Sequence, residues 1–199
     1  MKRSHSIAGI ILSAGASRRM GTPKALLKFQ EETFLDRLIR LFAAVSSPVI
    51  VVLGPHASQI QAGIERGSQV TFTVNPDPAR GMLSSLQCGL EAVPDDAEAV
   101  IFSPVDHPNV QESTLVTLAA RFQAGHTPVI VPEHGGKHGH PVCIARDLIS
   151  ELRSLPPSAQ ASDVIHHYKS QTVYVAVDDP GVVTDIDDRE AYRDLVSRA

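Results

Sequence analysis

With 199 residues, 43 % of them hydrophobic, the chain is long enough to bury a sizeable core and is expected to form one domain over residues 1–199. A formal charge of −4, no tryptophan and 5 % aromatic residues argue against nucleic-acid binding as the main task. No apolar run approaches the ~20 residues of a membrane span, and the basic start Met1 to Ser6 runs straight into the first apolar segment without a separate signal h-region, so no membrane partner is expected.

The run Ile7-Ala8-Gly9-Ile10-Ile11-Leu12 predicts a buried parallel strand. An amphipathic helix over about Thr33 to Val45 leads to a second strand, Val49 to Leu53, and Thr71 to Val74 gives a third. An apolar-periodic helix opens near Gly81, a fourth strand covers Ala99 to Ser103, and a helical stretch runs from Gln111 to Phe122. Val129 to Val131 is a fifth strand, Thr172 to Val177 another, and Arg189 to Arg198 a terminal helix. Pro156-Pro157-Ser158 breaks the second half and joins two helices rather than two domains. Strands alternating with helices indicate an α/β fold. Cys88 and Cys143 lack a C-x-x-C partner and support neither a disulfide framework nor a zinc knuckle. With no targeting segment, they point to the cytoplasm.

Glycine, proline and charged residues cluster after strands one, three, four and five. Open parallel sheets bind ligands outside the carboxyl ends of their strands, so these clusters should converge on one crevice. Leu12-Ser13-Ala14-Gly15-Ala16-Ser17-Arg18-Arg19-Met20-Gly21-Thr22-Pro23-Lys24 is the most informative of them. Small residues let backbone N–H groups approach an anion, and the cations compensate phosphate charge. The segment therefore reads as a nucleotide phosphate site, an ordinary basic turn being the alternative. It is neither G-x-G-x-x-G nor G-x-x-x-x-G-K-[ST].

Four further segments carry chemistry. Asp106, in Ser103-Pro104-Val105-Asp106-His107-Pro108, is placed either to hold Mg²⁺ against a triphosphate or to cap the helix near Gln111. In Val183-Thr184-Asp185-Ile186-Asp187-Asp188-Arg189-Glu190, strand alternation puts Asp185 and Asp187 on one face, while Asp188 suits an N-cap. A merely charged helix start is the other reading. Gly81, Ser84 and Ser85 open a helix and offer N–H and hydroxyl groups to a ligand or to the helix itself. His134-Gly135-Gly136-Lys137-His138-Gly139-His140-Pro141 has no thiol or carboxylate to complete a zinc ligand set, leaving a polar binding loop or a plain exposed one.

The segment 12–24 resembles the L-[AS]-[AG]-G-x-[SG]-x-R-M-G-x-x-K signature of nucleotidyltransferases that activate sugars, isoprenoid precursors and molybdopterin. Within them it is most similar to the MobA-like and MocA-like group of molybdenum-cofactor enzymes, and matches recur in order at Gly81, Asp106, Gly139 and Asp187. The resemblance implies a Rossmann-like, doubly wound, mostly parallel sheet of the nucleotide-diphospho-sugar transferase type, with one reversed strand. It implies nucleotide contacts from Leu12, Ser13, Ala14, Gly15, Lys24, Gly81, Ser84 and Ser85. Asp106, in a D-x-P triplet with His107 at its centre, and Asp187 would hold Mg²⁺, with Asp185 in support. Gly139 and His140, matching G-x-x-G-H-P, would face the acceptor. Arg19 and Lys24 would act with Asp106 in catalysis, Arg18 less directly.

The implied reaction is attack of an acceptor phosphate on the α-phosphate of a nucleoside triphosphate with loss of pyrophosphate, which depends on positioning and charge neutralisation. Guanylyl-transferring members read L-A-G-G at the loop start and cytidylyl-transferring ones L-A-A-G; Ala14 resembles the second, so CTP is expected. The implied acceptor is a molybdopterin-type phosphate, with an apo-molybdoenzyme as a possible downstream partner. Guanylyl or sugar-phosphate transfer, and a non-catalytic nucleotide or cofactor carrier, are the competing readings.

Overall fold

The computed structural model of the protein describes residues 6–17 and 19–198, so the basic start and Arg18 lie outside the described residues. In chain order the elements are β1 (Ile7–Ser13), β2 (Lys28–Phe29), β3 (Glu32–Thr33), α1 (Phe34–Ala43), β4 (Val49–Leu53), α2 (Ala57–Gly63), β5 (Thr71–Val74), α3 (Met82–Glu91) and β6 (Ala99–Pro104). There follow α4 (Glu112–Gln123), β7 (Val129–His134), β8 (Lys137–His138), β9 (Val142–Ala145), α5 (Asp147–Ser154), α6 (Ala161–His167), β10 (Thr172–Ala176) and α7 (Arg189–Ser197). Two prolines between α5 and α6 keep them apart as separate helices.

The main sheet runs β10-β7-β9-β6-β1-β4-β5, with β8 added on β7. β1 pairs in parallel with both β4 and β6, β4 with β5, and β7 with β10. Two strands run in reverse where one was expected: β9, antiparallel to β6 and β7, and the two-residue β8, antiparallel to β7. Every residue of β1 and β4 is buried, as a strand covered on both faces requires. Ile7 and Ile11 face one side with α1 and α4, while Ala8, Ile10 and Leu12 face the other with α3, α5 and α6. From β1 the chain winds outward through β4 and β5, then returns to β6 on the other side. The carboxyl ends of β1 and β6 therefore part at the point where strand order reverses, and that gap is where an open sheet binds its ligand.

Two expectations are corrected. Residues 184–187 form no strand: a 3-10 turn (Pro180–Val183) passes into an extended segment held by the Ile186 N–H donating to the Asp106 carbonyl at 2.8 Å. Its alternation thus does not arise from a ladder. Asp106 does not cap α4, whose N-cap is Gln111; the buried carboxylate of Asp179 accepts the Gln111 N–H at 2.8 Å and the Thr114 hydroxyl at 2.6 Å. Asp188 is the N-cap of α7 as expected, accepting N–H bonds from Glu190 and Ala191 at 3.0 and 2.9 Å.

Candidate active site

The loops after β1 and β6 border a crevice of about 450 Å³. Leu12, Ser13, Ala14, Gly15, Ala16 and Ser17 form one wall, Gly81, Met82 and Ser85 a second, and Pro104, Val105 and Asp106 the floor beside Asp187. Leu12, Ser13 and Ala14 are buried at the end of β1, whereas Gly15 is exposed with nothing within 4 Å of where a Cβ would stand. That open space belongs to the crevice. The Ser17 hydroxyl accepts the Lys24 N–H at 3.0 Å and closes the loop back on itself, so Lys24 also lines the crevice. Ser17 itself sits at φ 47°, a left-handed turn position.

Lys24 is the hub. Its Nζ donates to Asp106 Oδ2 at 3.0 Å and to Asp187 Oδ1 at 2.6 Å, while Arg19 Nη2 donates to Asp187 Oδ2 at 3.0 Å. Lys24 and Asp106 are largely enclosed, with 13 % and 22 % of their side chains exposed; Arg19 is 69 % exposed, so its pair is well screened. Burial alone would lower the pKa of the Lys24 ammonium, but Asp106 and Asp187 outweigh it and the net shift is upward. The hydrogen bond from Lys24 chiefly holds the Asp187 carboxyl below its ordinary range, with Arg19 adding to the effect. Three segments far apart in sequence therefore meet as a charged cluster: the loop after β1, the end of β6 and the approach to α7.

Gly81 adopts φ 91° and ψ −178°, a conformation open essentially to glycine alone, and this turns the chain into α3. Ser85 lines the crevice. The Ser84 hydroxyl instead donates to the Gly81 carbonyl at 2.8 Å, and both serine oxygens accept from Asn75 Nδ2, at 2.8 and 3.0 Å. Asp185 is exposed and makes no hydrogen bond or ion pair among the described residues, so it gives Asp187 no direct support.

Gly139 and His140 lie outside the crevice lining. A Cβ on Gly139 would stand 1.8 Å from the Val182 carbonyl oxygen, and the His140 N–H donates to that same oxygen at 2.9 Å. The close approach that selects glycine here is thus to the chain's own backbone. The His140 ring packs 5.2 Å from that of buried His107, and burial pushes its imidazole pKa down to about 4, with His107 adding to the push. His140 is consequently neutral at neutral pH. His107 Nδ1 lies 3.3 Å from the Gly181 carbonyl, which gives this ring a packing place beside Asp106.

Residues 9–173 match the family model of the MobA-like NTP transferase domain. The chain belongs to that family. It is 26 % identical over 181 residues to the molybdenum cofactor cytidylyltransferase of Escherichia coli (strain K12), covering 89 % of each chain. It is 30 % identical over 172 residues to a probable molybdenum cofactor guanylyltransferase of Rhodopirellula baltica, covering 79 % of this chain and 80 % of that one. Among solved structures, Rv0371c from Mycobacterium tuberculosis H37Rv matches with a TM-score of 0.86 at 28 % identity, over 96 % of this chain and 97 % of its own. Rv0371c in complex with manganese matches with a TM-score of 0.82 at 26 % identity, over 98 % of this chain and all (100 %) of that one.

The MobA-like chain is accordingly a nucleotidyltransferase, and the mixed sheet with flanking helices is the fold its relatives share. No cluster of three or more His, Cys, Asp or Glu residues suited to a metal occurs among the described residues. The carboxylates that line the crevice are Asp106 and Asp187, both hydrogen-bonded to Lys24 Nζ. Two hard oxygen donors bordering a crevice suit an ion such as Mg²⁺, which keeps waters and takes further ligands from phosphates. No helix is long and apolar enough to cross a membrane.

Proposed function

We propose that this chain, acting as one nucleotidyltransferase domain, moves CMP from CTP onto the phosphate of a molybdopterin-type acceptor and releases pyrophosphate. The observation that carries the reading is the Lys24 ammonium bridging Asp106 and Asp187 at 3.0 and 2.6 Å, inside a crevice walled by the small-residue loop after β1. A carrier that only bound nucleotide would have no use for two converging carboxylates. Relatives that are molybdenum cofactor cytidylyl- and probable guanylyltransferases support the acceptor class, and manganese in Rv0371c supports a divalent ion. An apo-molybdoenzyme is the recipient such a product calls for.

In this reading Leu12 to Ser17 cradle the triphosphate, the exposed Gly15 allows close approach, and Gly81 with Ser85 faces the ribose and base. Ser84 acts one step back, by fixing the turn at Gly81. Asp106 and Asp187 would hold Mg²⁺, which would supply charge neutralisation at the reacting phosphates. An oxygen of the acceptor phosphate attacks the α-phosphorus; the bond to the bridging oxygen breaks and pyrophosphate leaves with the electron pair. Lys24, kept protonated by its carboxylate neighbours, and Arg19 offset the charge that develops on the phosphorus centre and the departing pyrophosphate. One pre-organised donor of this kind is worth ~10²–10³ in rate. Gly139 and His140 stand on the acceptor half, where neutral His140 shapes the ground beside His107 and Asp106.

CTP rests on Ala14, and GTP is the alternative favoured by the guanylyltransferase names among the relatives. Asp106→Asn tests the central assignment. The Asp106 backbone carbonyl still receives Ile186, so the fold should persist, while Mg²⁺-dependent pyrophosphate release should fall by ~10² or more. Near-normal turnover would remove Asp106 from the reaction. A thermal-shift panel of CTP, GTP, UTP, ATP and dTTP with Mg²⁺ ranks the nucleotides directly.

A further inference from the structure

The two carboxylates of the crevice come from segments that have no strand pairing with each other. Asp106 leads from β6 towards α4, and Asp187 ends the stretch between β10 and α7. Asp179 joins the two. It is 2 % exposed, and its carboxylate takes three donors: the Gln111 N–H at 2.8 Å and the Thr114 hydroxyl at 2.6 Å from the Asp106 side, and the Gly181 N–H at 2.9 Å from its own side. Beyond it the same seam continues with His107 Nδ1 at 3.3 Å from the Gly181 carbonyl and with the Ile186 N–H on the Asp106 carbonyl at 2.8 Å. Buried Ile186 is the immediate neighbour of Asp187.

We propose that Asp179 is a positioning residue for the divalent-ion site: by tying the start of α4 to the 180–187 segment, it sets the separation of Asp106 and Asp187. The proposal rests on the reading of those two carboxylates as ion ligands. Asp179 is buried and lies outside the crevice lining. A carboxylate at the amino end of α4 is favoured by the helix dipole, and its three hydrogen bonds, two buried and one part-buried, restrict its geometry. Partners of this kind, which hold a metal ligand through another group, are typically worth 10–100-fold in metal affinity or activity.

The experiment is Mn²⁺ titration of the ligand-free protein, read by loss of the free-ion electron paramagnetic resonance signal, with amide hydrogen exchange at Ile186 in parallel. Asp179→Asn should bind Mn²⁺ about 10–100-fold more weakly and exchange the Ile186 amide faster. Asp36→Asn is the matched control: Asp36 is 4 % exposed and likewise accepts N–H bonds, from Glu65 and Arg66, at a turn that carries neither carboxylate. It should lower the melting temperature without weakening Mn²⁺. Should Asp179→Asn not fold, Thr114→Val removes one donor at constant shape and carries the same test with a smaller loss. If Asp106→Asn weakens Mn²⁺ but the Asp179 or Thr114 variant binds it within twofold of the unaltered protein, the positioning role is overturned and the ion reading stands. If Asp106→Asn binds Mn²⁺ as the unaltered protein does, both fall together.

Discussion

Lys24 serves two purposes that a substitution separates. It holds two carboxylates together, and in the proposed reaction its charge would serve the phosphate oxygens of the nucleotide. Lys24→Ala should therefore weaken CTP more than CMP, because the β- and γ-phosphates lose a charged hydrogen bond. Bonds of that type are worth ~1.5–3 kcal/mol, so a loss of about ten- to a hundredfold for CTP is expected by calorimetry. Equal losses for the two nucleotides would contradict this placement. Ala14 sets the other residue-scale expectation. Ala14 is 3 % exposed, belongs to the same buried cluster as Leu12 and Leu83 and lines the crevice, so in the proposed reaction it would act on the base through the shape of the wall. Ala14→Gly should relax a preference for CTP towards GTP. One methyl in a pocket gives ~1–3 kcal/mol, hence roughly 10–200-fold at most. Competition between CTP and GTP on both proteins decides it; an unaltered protein that prefers GTP would sink the cytidylyl reading alone.

At the scale of elements, the tethers around the crevice make separate predictions. Gly139→Ala drives a Cβ into the Val182 carbonyl, so the 139–142 turn or the 180–183 turn must shift. Overpacking of this kind costs ~1–3 kcal/mol, and a chain of this length loses about 2–4 °C of melting temperature per kcal/mol. Glu32 shows a pH effect remote from the crevice. Arg40 hydrogen-bonds its carboxylate at 2.8 and 3.1 Å and, with Arg66, lowers its pKa against the opposing effect of burial. A lowered carboxyl pKa stabilises the fold above the unfolded value of about 4.3 and stops doing so as pH falls through the lower folded value. Arg40→Gln should thus cost at most ~1 kcal/mol at neutral pH, and urea unfolding should show that cost vanish in acid. An undiminished difference at acid pH would assign it to packing. These elements also show the limits of sequence. α2 carries one buried side chain, Ile60, in an Ala/Ser/Gln-rich turn, so no apolar stripe announces it. Asp179 reads as part of an Asp-Asp-Pro-Gly turn, since the donors that make it a tether lie 65 or more positions away.

Across the whole molecule, what the sequence revealed followed local composition, buried or not: Val49–Leu53 is buried throughout and Thr71–Val74 has no buried residue. Val49–Leu53 and Thr71–Val74 match their predicted ranges because apolar and β-branched runs bounded by turn residues have few other solutions. The reversed β9 is four residues long and follows a glycine-histidine loop, so its run alone does not distinguish it from a loop exit. The crevice was legible for a topological reason, in that loops after parallel strands gather at one end of the sheet; residues after β1, β5 and β6 line it, whereas those of the 134–141 loop after the fifth predicted strand do not. That same topology divides the binding groups between two halves, the loop after β1 with the start of α3 on one side, Asp106 and the 180–187 segment on the other. A divalent ion held by Asp106 and Asp187 and by a nucleotide's phosphates would link those halves. CTP with Mg²⁺ should then slow amide exchange in residues 13–24 and 184–187 together, stabilising the molecule by ~2.7 kcal/mol at a hundredfold excess over Kd. In Asp106→Asn the same CTP concentration should protect residues 13–24 and leave 184–187 exchanging as in the free protein. If CTP with Mg²⁺ protects only the β1 loop in the unaltered chain, the halves bind independently, and the carboxylate pair does not couple the nucleotide to the acceptor side.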